Sequence, residues 1–296
     1  MKRWLSVALA FLLIGAAPAW AVEKPDILEV LSITGELRDG LADRLREQIE
    51  KLNDNKRVKA VLLEVDSPGG GVLATDAAYE ELGKLKVPVV AWCNNECASG
   101  GYYVLMTPSV KFIAMREVTI TGSVGVLAEI TRFHRLLEWA KIDPETYTSG
   151  NLKDAGNPTK IRTEVERAYI QSIIDHLATR FYTLVQGKMA LKPEALESVK
   201  TGRIFFGEEA VKLGLAHGIL SRDAALKKAK ELSGSKEIFT REELKKMATE
   251  AQGESGSRYQ APLAQPFGDV PWLIEALKEI RHGESIRFEY RMPYKF

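Results

Sequence analysis

Eight residues from Val58 to Val65, Val-Lys-Ala-Val-Leu-Leu-Glu-Val, are apolar almost without a break. A strand with one wet face alternates apolar and polar residues. A run this continuous suits a parallel strand covered by helices on both faces. A second run, Val87-Pro88-Val89-Val90-Ala91-Trp92-Cys93, repeats the pattern. The intervening stretch from about Leu73 to Leu85 reads as a helix. Upstream, Asp26 to Ile33 reads as a strand, and Leu41 to Leu52 carries the spacing of an amphipathic helix. Strands alternating with helices imply repeated βαβ units and a parallel sheet, hence an α/β fold. The chain has 296 residues, 45% of them hydrophobic. That suffices for one large domain or two smaller ones.

Further along, the pattern predicts a strand over Lys111–Ala114 and a glycine-interrupted strand within Val118–Ile130. A helix is expected over Thr131–Trp139 and a short strand over Thr146–Ser149, then a loop from Gly150 to Pro158. Helices are expected over Arg162–Met189, Pro193–Lys200 and Glu208–Leu213, the last ended by Gly214. After Cys93, Asn94-Asn95 signals a turn, and Ser99 sits where a strand passes into a helix that reaches Met106. From about Ser233 the composition shifts. Residues 252–265 read as a Gly/Ser/Pro/Gln-rich linker, Pro271–Ile280 as a short helix and Ile286–Arg291 as an edge strand. The main body spans 26–232, and 233–296 are expected to form a helical C-terminal extension.

The N-terminus is Met1-Lys2-Arg3, then an apolar stretch to about Ile14, then small residues ending Ala19-Trp20-Ala21. This is the layout of a secretory signal peptide cleaved after Ala21. The stretch from Trp4 to Val22 is also nearly long enough to remain as a membrane anchor. Either way the body of the chain lies outside the cytoplasm, in the periplasm or anchored at the outer face of the inner membrane.

Lys plus Arg total 41 and Asp plus Glu total 40, so charge gives no case for a nucleic-acid partner. The four histidines are scattered without metal-ligand spacing, and no metal or cofactor is expected. The two cysteines, Cys93 and Cys97, are too few for a disulfide framework. In an exported chain they either bridge and brace the turn before Ser99 or remain two small buried thiols.

Four stretches carry chemistry. Ser67-Pro68-Gly69-Gly70-Gly71 follows a buried strand and presents backbone N–H groups, which can cradle a phosphate, line an oxyanion hole or simply make a tight turn. Neither phosphate-loop glycine fingerprint is present. Ser99, in Ala98-Ser99-Gly100-Gly101, is a nucleophile or an N-cap. A nucleophilic serine needs a base, and no histidine sits in a suitable motif. Gly-x-Ser-x-Gly is also absent, which disfavours an α/β-hydrolase. Lys153 can serve as the base if desolvated, and is otherwise a solvated loop lysine. The Ser123 hydroxyl can orient a lysine ammonium or satisfy backbone.

Together, Ser-Pro-Gly-Gly at 67–70, Ala-Ser-Gly-Gly-Tyr-Tyr at 98–103, Thr-Gly-Ser-Val-Gly-Val at 121–126 and Ser-Gly-x-x-Lys-Asp at 149–154 resemble the signal peptide peptidase A (protease IV) serine proteases. Gly202-Arg203 and the run from Gly207 to Leu215 resemble the same family, and the likeness covers roughly Ile27 to Leu220. It implies the crotonase/Clp-protease fold and a serine endopeptidase cleaving apolar peptides such as released signal peptides. By the same resemblance Ser99 is the nucleophile, Lys153 the general base and Ser123 its orienting partner. Gly69, Gly70 and Gly100 then supply the oxyanion hole. Short single-copy members of the family share each active site between adjacent subunits, which implies a membrane-associated cyclic homo-oligomer. The rival readings are a non-catalytic membrane-associated scaffold on the same fold and a crotonase-fold enzyme acting on a coenzyme A thioester. The Cys93–Cys97 pair and the length of chain beyond Leu220 depart from the family pattern.

Overall fold

The computed structural model describes residues 24–255. Residues 1–21, most of the 252–265 linker, and the expected helix and edge strand near the C-terminus lie outside the described residues. Among those described, no helix is long and apolar enough to cross a membrane.

The two apolar runs form the centre of an eight-stranded sheet. Strand β1 (Asp26–Thr34) pairs in parallel with β2 (Val58–Ser67), and β2 with β3 (Val89–Ala98). Helices α1 (Leu41–Asp54) and α2 (Val72–Gly83) make the crossovers. Val61, Leu62, Leu63, Val65, Val89, Val90 and Ala91 have no exposed surface. This is why the β2 and β3 runs show no alternation. One face packs against α1, α2 and the chain after Ser99 through Leu45, Ile49, Leu82 and Tyr102. The other packs against α8 (Arg222–Ser233) through Ala225 and Ala229.

The Asn94-Asn95 turn does not form. β3 continues through it as a bulge, with the register passing from Val65↔Cys93 to Ser67↔Cys97. The Asp66 carboxylate makes this possible by accepting from the Glu96 N–H at 3.0 Å and from Asn95 Nδ2 at 2.7 Å. These contacts stand in for ladder bonds and override the local turn propensity of two asparagines. On its other edge β3 changes partner at the bulge. Residues 89–93 pair with β4 (Val110–Met115), and residues 96–98 pair with β5 (Ile120–Gly122). The Thr119 hydroxyl closes the corner by donating to the carbonyls of Cys93 and Asn94.

The expected strand within Val118–Ile130 shrinks to these three residues, because Ser123, at φ 49°, turns the chain out of the sheet. The Thr146–Ser149 strand does not form, and these residues run as irregular, exposed chain. The helix after Ser99 is a single turn, α3 (Gly100–Tyr103), followed by a 3-10 turn at Val104–Met106. The expected Thr131 helix starts later, as α4 (His134–Trp139). Helix α5 (Glu164–Met189) forms over nearly the whole expected span and begins at a capping box in which Thr163 and Glu166 satisfy each other's backbone N–H. After α6 (Pro193–Lys200) comes β6 (Ile204–Phe206), an antiparallel edge strand on β5 too short for its own pattern to show in the sequence. Beyond α7 (Gly207–Leu213), β7 (Gly218–Ile219) extends β4. β8 (Ile238–Thr240) joins the far edge beside β1, and α9 (Arg241–Ser255) runs on from it.

Candidate active site

The Ser67–Gly71 loop and the Ser99 turn leave the carboxyl ends of neighbouring parallel strands, where ligands bind in open α/β sheets. The Ser67 hydroxyl, fully buried, accepts from Gly69 N–H at 3.1 Å and folds the loop back. The loop is pinned from outside by Leu37, whose N–H donates to Gly69 C=O at 2.8 Å and whose C=O accepts from Gly71 N–H at 3.0 Å. Gly69 stands at φ 102°, and a Cβ there would lie 2.6 Å from Gly100 N. Only glycine meets both the dihedral and the approach. Likewise a Cβ on Gly100 would lie 3.2 Å from Gly70 N and 2.6 Å from Thr75 Oγ1. The two glycine segments are thus pressed together backbone to backbone. Neither Gly70 N–H nor Gly100 N–H finds an acceptor among the described residues.

Ser99 itself is held at φ 49°, ψ −122°. This is a sparsely populated conformation for a residue with a Cβ and costs about 1–3 kcal/mol. Its neighbours hold it there. Ser99 N–H donates to Gly122 C=O at 2.8 Å, and Ser99 C=O accepts from the N–H groups of Tyr102 and Tyr103, each at 2.9 Å. Tyr102 Oη, buried, donates to Leu215 C=O at 2.6 Å. The side chain of Ser99 is half-buried in a cleft of about 100 Å³. Apolar walls come from Val72, Leu73, Val126, Leu177 and Phe181. Thr75 Oγ1 in the same wall is buried and without a partner among the described residues. Ser123 follows Gly122, which accepts the Ser99 N–H, and its own N–H donates to Arg203 C=O at 2.9 Å, so the 121–126 stretch runs beside the Ser99 turn.

One side of the cleft is charged. Asp76, Tyr103 and Arg180 line it together. Tyr103 Oη donates to Asp76 Oδ1 at 2.5 Å, and Arg180 Nη2 donates to the same oxygen at 2.6 Å. Burial, then the Asp76 hydrogen bond, push the Tyr103 hydroxyl above its ordinary range, so it stays protonated. The sequence pattern gave no sign of this cluster, since its members come from three elements with unrelated spacings.

Lys153 is not part of this cleft. It is exposed and lines a separate open depression with Ser149, Gly150, Asn151, Leu152 and Tyr169. No residue borders both sites. Tyr169 marks one and Leu177 to Phe181 the other, and all lie on α5, eight to twelve residues apart. At the α-helical rise this is about 12–18 Å. The Lys153 loop is moored to the start of α5. Lys160 Nζ bridges Asp154 Oδ1 at 2.7 Å and the Glu166 carboxylate, and Arg162 Nε donates to Ala155 C=O at 3.0 Å. Lys160 and the Thr163 backbone hold the Glu166 carboxyl down at about 2. Cys93 and Cys97 are both buried free thiols, and burial pushes Cys97 well above the ordinary thiol range. The bridging alternative is not adopted.

Among known proteins, the sequence profile of Peptidase family S49 matches residues 81–236 and that of Clp protease matches residues 27–120. The first span contains Ser99, Ser123 and Lys153, and the second contains Gly69, Gly70, Ser99 and Gly100. The chain is similar to the signal peptide peptidase SppA of Enterococcus faecium, 35% identical over 78% of this chain and 68% of that one. It is 31% identical to the protease slr0021 of Synechocystis sp. over 69% of this chain and 73% of that one. It is 32% identical to the chloroplastic serine protease SPPA of Arabidopsis thaliana over 64% of this chain but 28% of that longer one. The Clp protease match accords with the parallel sheet of βαβ units, and the chain has an α/β fold of the Clp-protease type.

Proposed function

The chain belongs to peptidase family S49 and is a serine protease of that family, and from this premise we propose an endopeptidase with a Ser-Lys dyad acting on apolar peptides. The observation that carries the reading is the strained Ser99 turn. A serine is held at φ 49°, ψ −122° beside two unpartnered N–H groups, at the mouth of an apolar cleft. Strain of this kind persists where the surroundings over-determine it, and it clusters at reactive sites. Ser99 Oγ attacks the scissile carbonyl. The Gly70 and Gly100 N–H groups stabilise the tetrahedral oxyanion. Gly69 shapes this nest without donating from it, because its N–H is already engaged by Ser67.

Lys153 accepts the Ser99 proton and passes it to the leaving amine, after which water releases the acyl group. Ser123 orients the lysine. Proton acceptance needs the neutral amine, so turnover rises on the alkaline side of neutrality. Lys153 lines a depression that shares no residue with the Ser99 cleft, and this supports a base delivered to each Ser99 by a neighbouring copy. The segment between Gly125 and α5 supports this assembly, because Leu127, Trp139, Tyr147 and Ile161 are all exposed on it. The reading is therefore a cyclic homo-oligomer with shared sites, exported or anchored to the membrane. Its substrates are apolar segments such as released signal peptides, seated against Val72, Leu73, Val126, Leu177 and Phe181.

Peptide hydrolysis by wild type, Ser99→Ala and Lys153→Ala tests this. Each variant alone should be inactive, and mixing them with subunit exchange should restore part of the activity. A fully active monomer in light scattering, or proven exchange without complementation, would sink the shared site.

A further inference from the structure

The turn that carries Ser99 cannot hold itself. Helix α3 is four residues long, far below the length at which a helix is stable without outside contacts. Yet it fixes both the nucleophile before it and the Gly100 N–H at its start. Two tyrosines tie it down. Tyr102 does so from the buried side, through Leu215. Tyr103 does so from the cleft side, through a charged cluster contributed by two long helices. Asp76 on α2 and Arg180 on α5 close on its hydroxyl. Tyr103 Oη donates to Asp76 Oδ1 at 2.5 Å, while Arg180 Nε donates to Tyr103 Oη at 2.9 Å and to Asp76 Oδ1 at 3.1 Å. Arg180 Nη2 completes a fork onto Asp76 at 2.6 Å. The tyrosine ring is fixed as well, edge-on to Phe181 at 4.9 Å and to Tyr79 at 5.5 Å.

We propose that Asp76 and Arg180 are positioning residues for Ser99, clamping Tyr103 so that the one-turn helix keeps the hydroxyl and the Gly100 N–H in their reacting geometry. The ion pair is poorly suited to a purely stabilising role. Its side chains are 45% and 31% exposed, and pairs in that setting contribute little to stability. A planar guanidinium fork, however, fixes direction as well as distance. The clamp also bridges the two walls of the cleft, so cleft width and nucleophile orientation are set by one contact. This inference rests on Ser99 being the nucleophile, as proposed above.

The test uses the full chain and three near-isosteric variants, Arg180→Gln, Asp76→Asn and Tyr103→Phe. Each should lower kcat about tenfold or more, the scale expected for a misplaced reacting group, with KM moving less than about twofold. The rate at which a fluorophosphonate acylates Ser99 should fall by a similar factor, and the melting temperature should change little. Arg180→Lys should recover only part of the rate, because it restores the charge but not the fork. The charge-swapped double variant Asp76→Arg/Arg180→Asp should exceed either single reversal. If Arg180→Gln or Asp76→Asn folds poorly, Arg180→Lys and Tyr103→Phe carry the same readouts. Wild-type kcat in the folded variants overturns the inference, as does a change confined to KM or a loss that only tracks the fraction folded. Hydrolysis at the wild-type rate in Ser99→Ala would instead overturn Ser99 as the nucleophile, the assignment beneath this inference.

Discussion

The two halves of the proposed dyad are built in opposite ways. The Ser99 half is locked by one chain. A strand bulge, two glycine segments in backbone contact, Leu37 and two tyrosines all constrain it. The Lys153 half is an exposed loop moored mainly by Lys160, Arg162 and the capping box of α5. An oxyanion hole must be rigid before substrate arrives, since donors that reorganise during reaction lose most of their effect. A base delivered by another subunit needs freedom to dock. On the proposed reading, the difference teaches that charge stabilisation is preorganised within the chain while proton transfer is left to assembly.

The comparison breaks most visibly under substitution at its two poles. Lys153→Ala and Lys153→Arg should each remove hydrolysis, by about 10⁴-fold or more as for other dyad and triad members, since arginine cannot give up its proton. Melting temperature should be unchanged, because nothing in the described chain leans on this side chain. Gly69→Ala should damage both. The added methyl meets Gly100 N at 2.6 Å and the backbone cannot keep φ 102° without strain, costing roughly 2–4 kcal/mol in stability. Calorimetry beside a peptide assay separates the two patterns, and a stable, inactive Gly69→Ala would place the rigidity elsewhere.

A smaller effect sharpens the picture at the mooring. Glu166→Gln should loosen the Lys153 loop and lower kcat several-fold without touching the Ser99 turn. Acid should mimic it. Glu166 is depressed in the folded chain from 4.5 to about 2. It therefore binds fewer protons folded than unfolded, and its contribution is complete above 4.5 and lost as pH falls toward 2. Amide exchange at residues 153–157, corrected for intrinsic rate, should rise across that window and not in Glu166→Gln. Equal behaviour of the two would mean the loop is held by other contacts.

The smallest effect concerns Cys93 and Cys97. Both are buried, so alkylating reagents should leave the native protein unmodified, and the unfolded, unreduced protein should titrate two thiols. Fewer than two would mean that the bulge before Ser99 is braced covalently.

Much of this was legible in advance wherever a local pattern and the tertiary need agreed. The apolar runs at 58–65 and 87–93 are buried on both faces, so their periodicity is the fold. The glycines at 69, 70 and 100 reveal themselves because no other residue fits. Asn94-Asn95 misleads because the deciding group, the Asp66 carboxylate, lies on another strand. Asp76, Tyr103 and Arg180 meet only through the packing of α2, α3 and α5, and no window of sequence contains them. The separation of Lys153 from Ser99 is hidden for the same reason, since it depends on how far α5 carries the chain.

The exchange of partners along β3 has one more consequence. Its first half is zipped between β2 and the six-residue β4, and its second half between β2 and the three-residue β5, itself backed only by the edge strand β6. Cooperative opening follows the weaker seam. On mild warming, amides at Cys97 to Ser99 should lose protection well before those at Val89 to Ala91. The Ser99 end of the strand can then melt while the rest of the sheet stands, so the site comes apart before the fold does and re-forms on cooling.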